Sequence, residues 1–261
     1  CARHAGATAF GDASHARTTR PSVEHDGFVV RIDGAGRVLW VQVADVHHSI
    51  VDPSNPSLPP TLPRAEAMGV ATVEGGVVVA GYFRGQLEAR DFIFRSADRD
   101  GCIAYKLDDD GQPLYGFQAV GVSGDDASWC RATAVAAAPS VGDGADSSAV
   151  ILAGTFVGVV DFGGMPYSSG AAAAGRDFVL RLDGRGRVEW VVPLGAHSAA
   201  WASRPQPVPS LATSPGAVHV GGAFAGAGAQ FGGFARDGTG AASDAYIATL
   251  AAGDGAVRWV R

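Results

Sequence analysis

The chain has 261 residues, of which 47% are hydrophobic and 18% charged, and a formal net charge of −6. That content suffices for a sizeable core and excludes a charged, disordered chain. The acidic balance argues against a nucleic-acid binder, which needs a basic face for phosphates, and no apolar run approaches the roughly 20 residues that span a bilayer.

Within these 261 residues no basic-then-apolar secretory pattern occurs. Lys106 is the only lysine and Asn55 the only asparagine, while arginine, alanine, glycine and valine are abundant. This reads as the codon usage of a GC-rich genome, so the arginines carry no functional inference. None of the three cysteines, Cys1, Cys102 and Cys130, has CxxC or zinc-ligand spacing. A Cys102–Cys130 disulfide would suit an oxidising compartment; two unpaired buried thiols are the alternative.

In chain order, the opening Cys1–Asp12 falls into register with Ala153–Gly164: Cys1 opposite Ala153, Gly6 opposite Gly158, Phe10 opposite Phe162 and Gly11 opposite Gly163. Cys1 is therefore expected inside the second strand of a repeat, as if the chain began mid-repeat because something upstream was removed or never included. A lipoprotein-type start is the weaker alternative, because a flexible linker would be expected after it. Next comes DGFVVRIDGAGRVLW, Asp26 to Trp40, which DFVLRLDGRGRVEW, Asp177 to Trp190, matches closely. Looser copies end at Tyr115 and Trp259. The aligned positions Phe28, Ile103, Phe178 and Tyr246 recur at intervals of 75, 75 and 68 residues. In each copy apolar residues alternate like a strand, a glycine-bearing turn follows, and a second strand carries an aromatic residue, so each is a β-hairpin. Upstream of the later three lies another hairpin, over Val70–Phe83, Thr133–Phe156 and Leu211–Phe224.

Four short antiparallel strands per repeat, too small to bury their apolar faces alone, predict an all-β fold: a β-propeller of four-stranded antiparallel blades, about four visible, the first incomplete. The expected boundaries are a partial blade over 1–44, a proline-rich inter-blade loop over 45–66, and blades over about 67–120, 131–194 and 208–261. A sandwich does not predict copies at such intervals, and a solenoid usually has a much shorter period.

The DFVLRLDGxG pattern with its trailing Trp, the Ser123–Ser128 linker, and the AGxFxG…DFGG run resemble bacterial β-propeller repeat proteins of the SBBP type. The Gly-x-Val-x-Trp ending is similar to quinoprotein-like propellers. The resemblance covers nearly the whole chain and implies architecture, not activity. Quinoprotein cofactor ligands match no positions here, so no cofactor is expected.

In such a unit the connections from second to third strand and from unit to unit emerge on one face, and here those are the long ones. They cover about 11–25, 86–100, 163–176 and 232–243, and about 44–66, 120–131 and 193–208. Long loops on a rigid scaffold concentrate binding, so this is the expected interaction face. It carries the candidate ligand-binding residues His47, His48, Asp125, Asp126, Trp129, His197 and Trp201. Adjacent histidines do not readily share one ion, so no metal is assigned to His47 and His48. Trp129 and Trp201 suit stacking on a sugar, or plugging a seam between units. The Asp108–Gly111 run lacks an EF-hand's acids, with Lys106 and Phe117 at ligand positions, and reads as a hairpin turn. No Gly-x-Ser-x-Gly, His-Glu-x-x-His or Walker signature occurs. The resulting expectation is a non-catalytic, extracytoplasmic scaffold that binds a protein or cell-surface glycan through the long-loop face. A lectin-like binder and a propeller hydrolase or lyase are the alternatives.

Overall fold

The computed structural model describes residues 2–4, 7–8, 17–18, 26–47, 63–89, 92–122, 128–139, 147–170, 175–196, 208–226, 229–238 and 243–261. Every regular element among these is a β-strand, and every pairing is antiparallel. The strands fall into four repeats. The first holds β1 (Ala2–His4), β2 (Ala7–Thr8), β3 (Arg17–Thr18), β4 (Asp26–Ile32) and β5 (Val38–His47). The second holds β6 (Arg64–Val73), β7 (Gly76–Ala89), β8 (Phe92–Leu107) and β9 (Pro113–Gly121). The third holds β10 (Trp129–Ala137), β11 (Val150–Val157), β12 (Val159–Phe162), β13 (Pro166–Ser168), β14 (Gly175–Leu182) and β15 (Val188–Leu194). The fourth holds β16 (Ser210–Ser214), β17 (Ala217–Ala225), β18 (Ala229–Phe231), β19 (Phe234–Arg236), β20 (Ser243–Ala251) and β21 (Val257–Val260).

The later three repeats each form the same four-stranded meander, as in β10-β11-β14-β15 and β16-β17-β20-β21. The opening stretch obeys that register: Ala2 pairs with Phe28 just as Gly154 pairs with Phe178. The turn after each third strand is closed by a glycine at positive φ: Gly36, Gly111, Gly186 and Gly255, at 72–81°. No L side chain enters that region without strain. The aspartate at the turn's head secures it. Asp33, Asp108 and Asp183 each accept bonds from two backbone amides further on, which fixes the Asp108 run as a turn, as its sequence implied.

The segments between second and third strands are not plain loops. Each of the later three contains a small hairpin that pairs with the fourth strand of the repeat before it. Asp45–His47 pair with Gln86–Glu88, Ala119–Gly121 with Val160–Phe162, and Leu194 with Phe231. Sequence reasoning missed this because the pairing partner lies a whole repeat away. These pairings fuse β1, β4 and β5 with the second repeat and β12-β13 into one nine-stranded sheet, and β10, β11, β14 and β15 with β18-β19 into a six-stranded one, while β2 and β3 pair only with each other.

Three buried clusters lie between the repeats rather than within them. Val29, Ala44 and Val46 pack with Val79, Phe83, Ile103 and Tyr105 between the first and second. Cys102, Ala104 and Phe117 pack with Leu152, Phe162, Phe178 and Leu180 between the second and third. Ile151, Val179 and Trp190 pack with Val220, Phe231, Tyr246 and Leu250 between the third and fourth. Alternate residues of one strand thus serve two cores: Phe178 and Leu180 face backward, Val179 forward. The first strands β6, β10 and β16 lie successively beside one another.

Candidate functional site

The long-loop ends of the second and third repeats bring together charges that the sequence scatters over β6, β7, β8 and β10. Asp100, only 3% exposed, sits at their centre. Arg64 donates to it from Nε and Nη2 at 3.3 and 2.7 Å, and Arg84 from Nε and Nη2 at 3.1 and 2.8 Å. Arg131 Nε donates to Oδ2 at 2.6 Å, and its Nη2 lies 2.5 Å from the same oxygen. Burial alone would raise the Asp100 carboxyl, but the three guanidinium groups outweigh it and hold the group below the usual carboxylate range. Arginine suits this role because its planar fork keeps its charge and donates in pairs.

Two aromatic rings sit on the guanidinium groups. Arg131 lies 4.9 Å from the ring centre of Tyr82 and 5.1 Å from that of Trp129, and Arg64 lies 5.4 Å from Tyr82. Each such stack contributes about 0.5–1 kcal/mol where partly exposed. Burial and a hydrogen bond with Glu66 push the Tyr82 phenol up, so it stays protonated. Of the three arginines, Arg131 is the most exposed.

A cavity of about 110 Å³ opens beside this cluster, lined by Met68, Tyr82, Trp129, Arg131, Thr133, Thr155 and Val208. The Cys102–Cys130 disulfide anchors its wall. Cys130 lies between Trp129 and Arg131, and Cys102 follows Asp100 by two residues, so the bond ties the carboxylate's strand to the strand carrying pocket and guanidinium. It bridges two repeats, and both cysteines are fully buried. Beneath the cavity Thr155 donates to Asp177 Oδ1 at 3.0 Å and Tyr246 to Oδ2 at 2.7 Å. Burial and the Asp177 charge raise the Tyr246 phenol, keeping it a donor.

Of the residues singled out from sequence, Trp129 lines this pocket. His47 ends β5, its backbone paired with Gln86 one repeat away from Trp129. His48, Asp125, Asp126, His197 and Trp201 lie outside the described residues. Sequence reasoning missed Arg64, Arg84, Asp100 and Arg131: they come from four strands with no local spacing, and the arginines were set aside as compositional. Their one readable signal was position at the long-loop ends of adjacent strands.

A larger cavity, of about 390 Å³, lies at the opposite, tight-turn face between the first two repeats. Its walls include Val29, Val70, Val73 and Trp40, with the Arg31–Asp109 ion pair. Elsewhere Ser214 Oγ lies 2.8 Å from His219 Nε2, and Thr249 Oγ1 2.9 Å from Nδ1. A hydroxyl, not a carboxylate, sits on Nδ1, so this trio lacks the charge that stabilises an imidazolium in a hydrolytic triad. Among the described residues no three histidine, cysteine or acidic side chains gather closely enough to hold a metal, and no helix is long and apolar enough to cross a membrane.

No family model matches the chain, and no curated protein matches it.

Proposed function

We propose that the four repeats are blades of a β-propeller of the bacterial repeat type, and that the protein is a non-catalytic, extracytoplasmic scaffold holding a protein partner on its long-loop face. The observation that carries this reading is the pocket at Trp129, Tyr82 and Arg131, built over the buried Asp100 cluster on two disulfide-linked repeats. At about 110 Å³ it is well below the roughly 300–1,000 Å³ of sites that enclose a small molecule. It is the size for one anchoring side chain, and the partly exposed Arg131 guanidinium beside aromatic rings suits an acidic one. The disulfide is compatible with an oxidising compartment.

A lectin-like reading comes second, favoured by Trp129 with Thr133 and Thr155 in the pocket's lining. Against it, the Arg131 guanidinium already occupies an aromatic face that a sugar would need. The deciding experiment immobilises the chain and captures partners from envelope extract and culture fluid, with a glycan array in parallel. The expected outcome is a captured protein whose binding weakens at least about tenfold in Arg131→Ala and Trp129→Ala. Capture undiminished in both variants contradicts it, and array binding lost in Trp129→Ala moves the assignment to glycan.

A further inference from the structure

Beside the Trp129 pocket a polar row crosses three strands. Arg131 on β10 pairs with Thr155 on β11, and Thr155 with Asp177 on β14. Residues directly opposite in an antiparallel pair share a face, their Cβ atoms about 4.5–5.5 Å apart. The row therefore runs cation, hydroxyl, anion, with Thr155 and Asp177 both buried.

The hydrogen bonds within the row decide what each member offers a ligand. Arg131 gives its Nε hydrogen and one on Nη2 to Asp100. The Nη1 hydrogens and the second on Nη2 have no partner among the described residues, and two of them lie parallel, as a carboxylate accepts them. Thr155 has a single hydroxyl hydrogen and commits it to Asp177 Oδ1 at 3.0 Å. Tyr246, kept protonated by burial, donates to Oδ2 at 2.7 Å. Thr155 Oγ1 is thus left with lone pairs and can only accept. Beside this donor and this acceptor, the pocket lining holds Met68, Val208 and the Trp129 ring, all apolar.

Two kinds of carboxylate could serve as the anchor: an acidic side chain or a chain's C-terminus. A side-chain carboxylate offers acceptors only. It suits Arg131, but its oxygens then meet the lone pairs of Thr155 with the Asp177 carboxylate behind them. A C-terminal residue carries a carboxylate, an amide N–H and a side chain on one Cα. The first suits Arg131, the second suits Thr155 Oγ1 one strand over, and an apolar third suits Met68, Trp129 and Val208.

We propose that the pocket takes the C-terminal residue of a partner protein, one with an apolar side chain. Arg131 clasps the α-carboxylate, Thr155 accepts the amide hydrogen, and Asp177 acts through Thr155 as a positioning residue. Capture of a chain end by converging polar groups is a recurrent mode of peptide recognition. The inference rests on the reading of this pocket as a partner's anchor and names the group that enters.

Calorimetric titration of the 261-residue chain with N-acetylated peptides tests it. The probes are Gly-Gly-Gly-Leu with a free carboxylate, the same peptide as its C-terminal amide, Gly-Glu-Gly-Leu amide, and the free acid with its last peptide link replaced by an ester. The free acid is expected to bind, and to lose its affinity in Arg131→Ala. The amide and the glutamate peptide should each bind at least about tenfold more weakly, as expected for the loss of a charge-assisted pair. The ester lacks the terminal N–H, so it should bind about threefold to tenfold more weakly than the free acid, the worth of one neutral hydrogen bond. In Thr155→Val that difference should vanish, which a merely structural role for Thr155 would not produce. An amide or glutamate peptide binding as tightly as the free acid overturns the proposal. So does a free acid that shows no binding up to about 1 mM, one indifferent to Arg131→Ala, or an ester penalty that persists in Thr155→Val. Each of these results leaves the anchor reading standing, since that reading fails only if partner capture is undiminished in Arg131→Ala and Trp129→Ala.

Discussion

The third repeat and the two outer ones share a sequence pattern but not an environment. In the third repeat β14 is buried on both faces, with Phe178 and Leu180 in one core and Val179 in the next. In the first, Ile32 faces outward; in the fourth, Ile247 does. Burial here is a property of having a neighbour, not of the residue pattern, as expected when stability is a sum over stacked modules.

Substitution at one repeat position sharpens that contrast most. Leu182→Ala should cost about 3–5 kcal/mol, the range for a buried leucine that leaves a cavity. Ile32→Ala, at the equivalent position, should cost only about 0.5 kcal/mol. Urea unfolding of both variants checks this, and equal losses would break the comparison.

The Asp100 cluster exists at the seam of the second and third repeats alone among the described residues. Asp100→Ala leaves three guanidinium groups without their shared acceptor and should cost about 3–5 kcal/mol. Because the folded carboxyl is depressed, its contribution is complete above about pH 4 and is lost as pH falls through the lower folded value. Unfolding measured from about pH 6 down to about pH 2 should therefore show an acid loss that Asp100→Asn flattens. A slope unchanged in Asp100→Asn would assign the acid sensitivity elsewhere.

Reducing the Cys102–Cys130 bond opens a loop of 28 residues' separation and should cost about 3–4 kcal/mol by the loop-entropy relation. The same seam should loosen, so Arg131-dependent binding falls with it. Thermal unfolding with and without reductant reads the first effect, and partner capture reads the second.

A smaller effect separates the internal seam from the open end. Gly186→Ala and Gly36→Ala share about 1–2 kcal/mol of left-handed strain. Only Gly186→Ala also drives a Cβ into Tyr115, adding about 1–3 kcal/mol of overpacking. The difference between the two, measured by urea unfolding of dilute protein, should be positive.

What the sequence made legible was local. The hairpins and their turn glycines follow from short local patterns, and the place of Ala2–His4 in the first repeat follows from the match of Cys1–Asp12 to Ala153–Gly164. The cores between repeats follow from the same alternation, since a strand apolar on both faces needs two neighbours. The small hairpins' pairing to the preceding repeat was hidden, because β9 and β12 meet through backbone bonds that no side-chain pattern announces. The site was hidden for a related reason. Asp100 draws Arg64, Arg84 and Arg131 from strands up to 36 residues distant, and only the folded sheet turns that into proximity.

Native-state hydrogen exchange tests the stacked-repeat account most directly, since it reads opening free energies strand by strand. The amides of β8, β11 and β14 should exchange only through global unfolding, and those of β4, β20 and β21 through much cheaper partial opening. Protection that is uniform across all four repeats, or highest in the first and fourth, would contradict it.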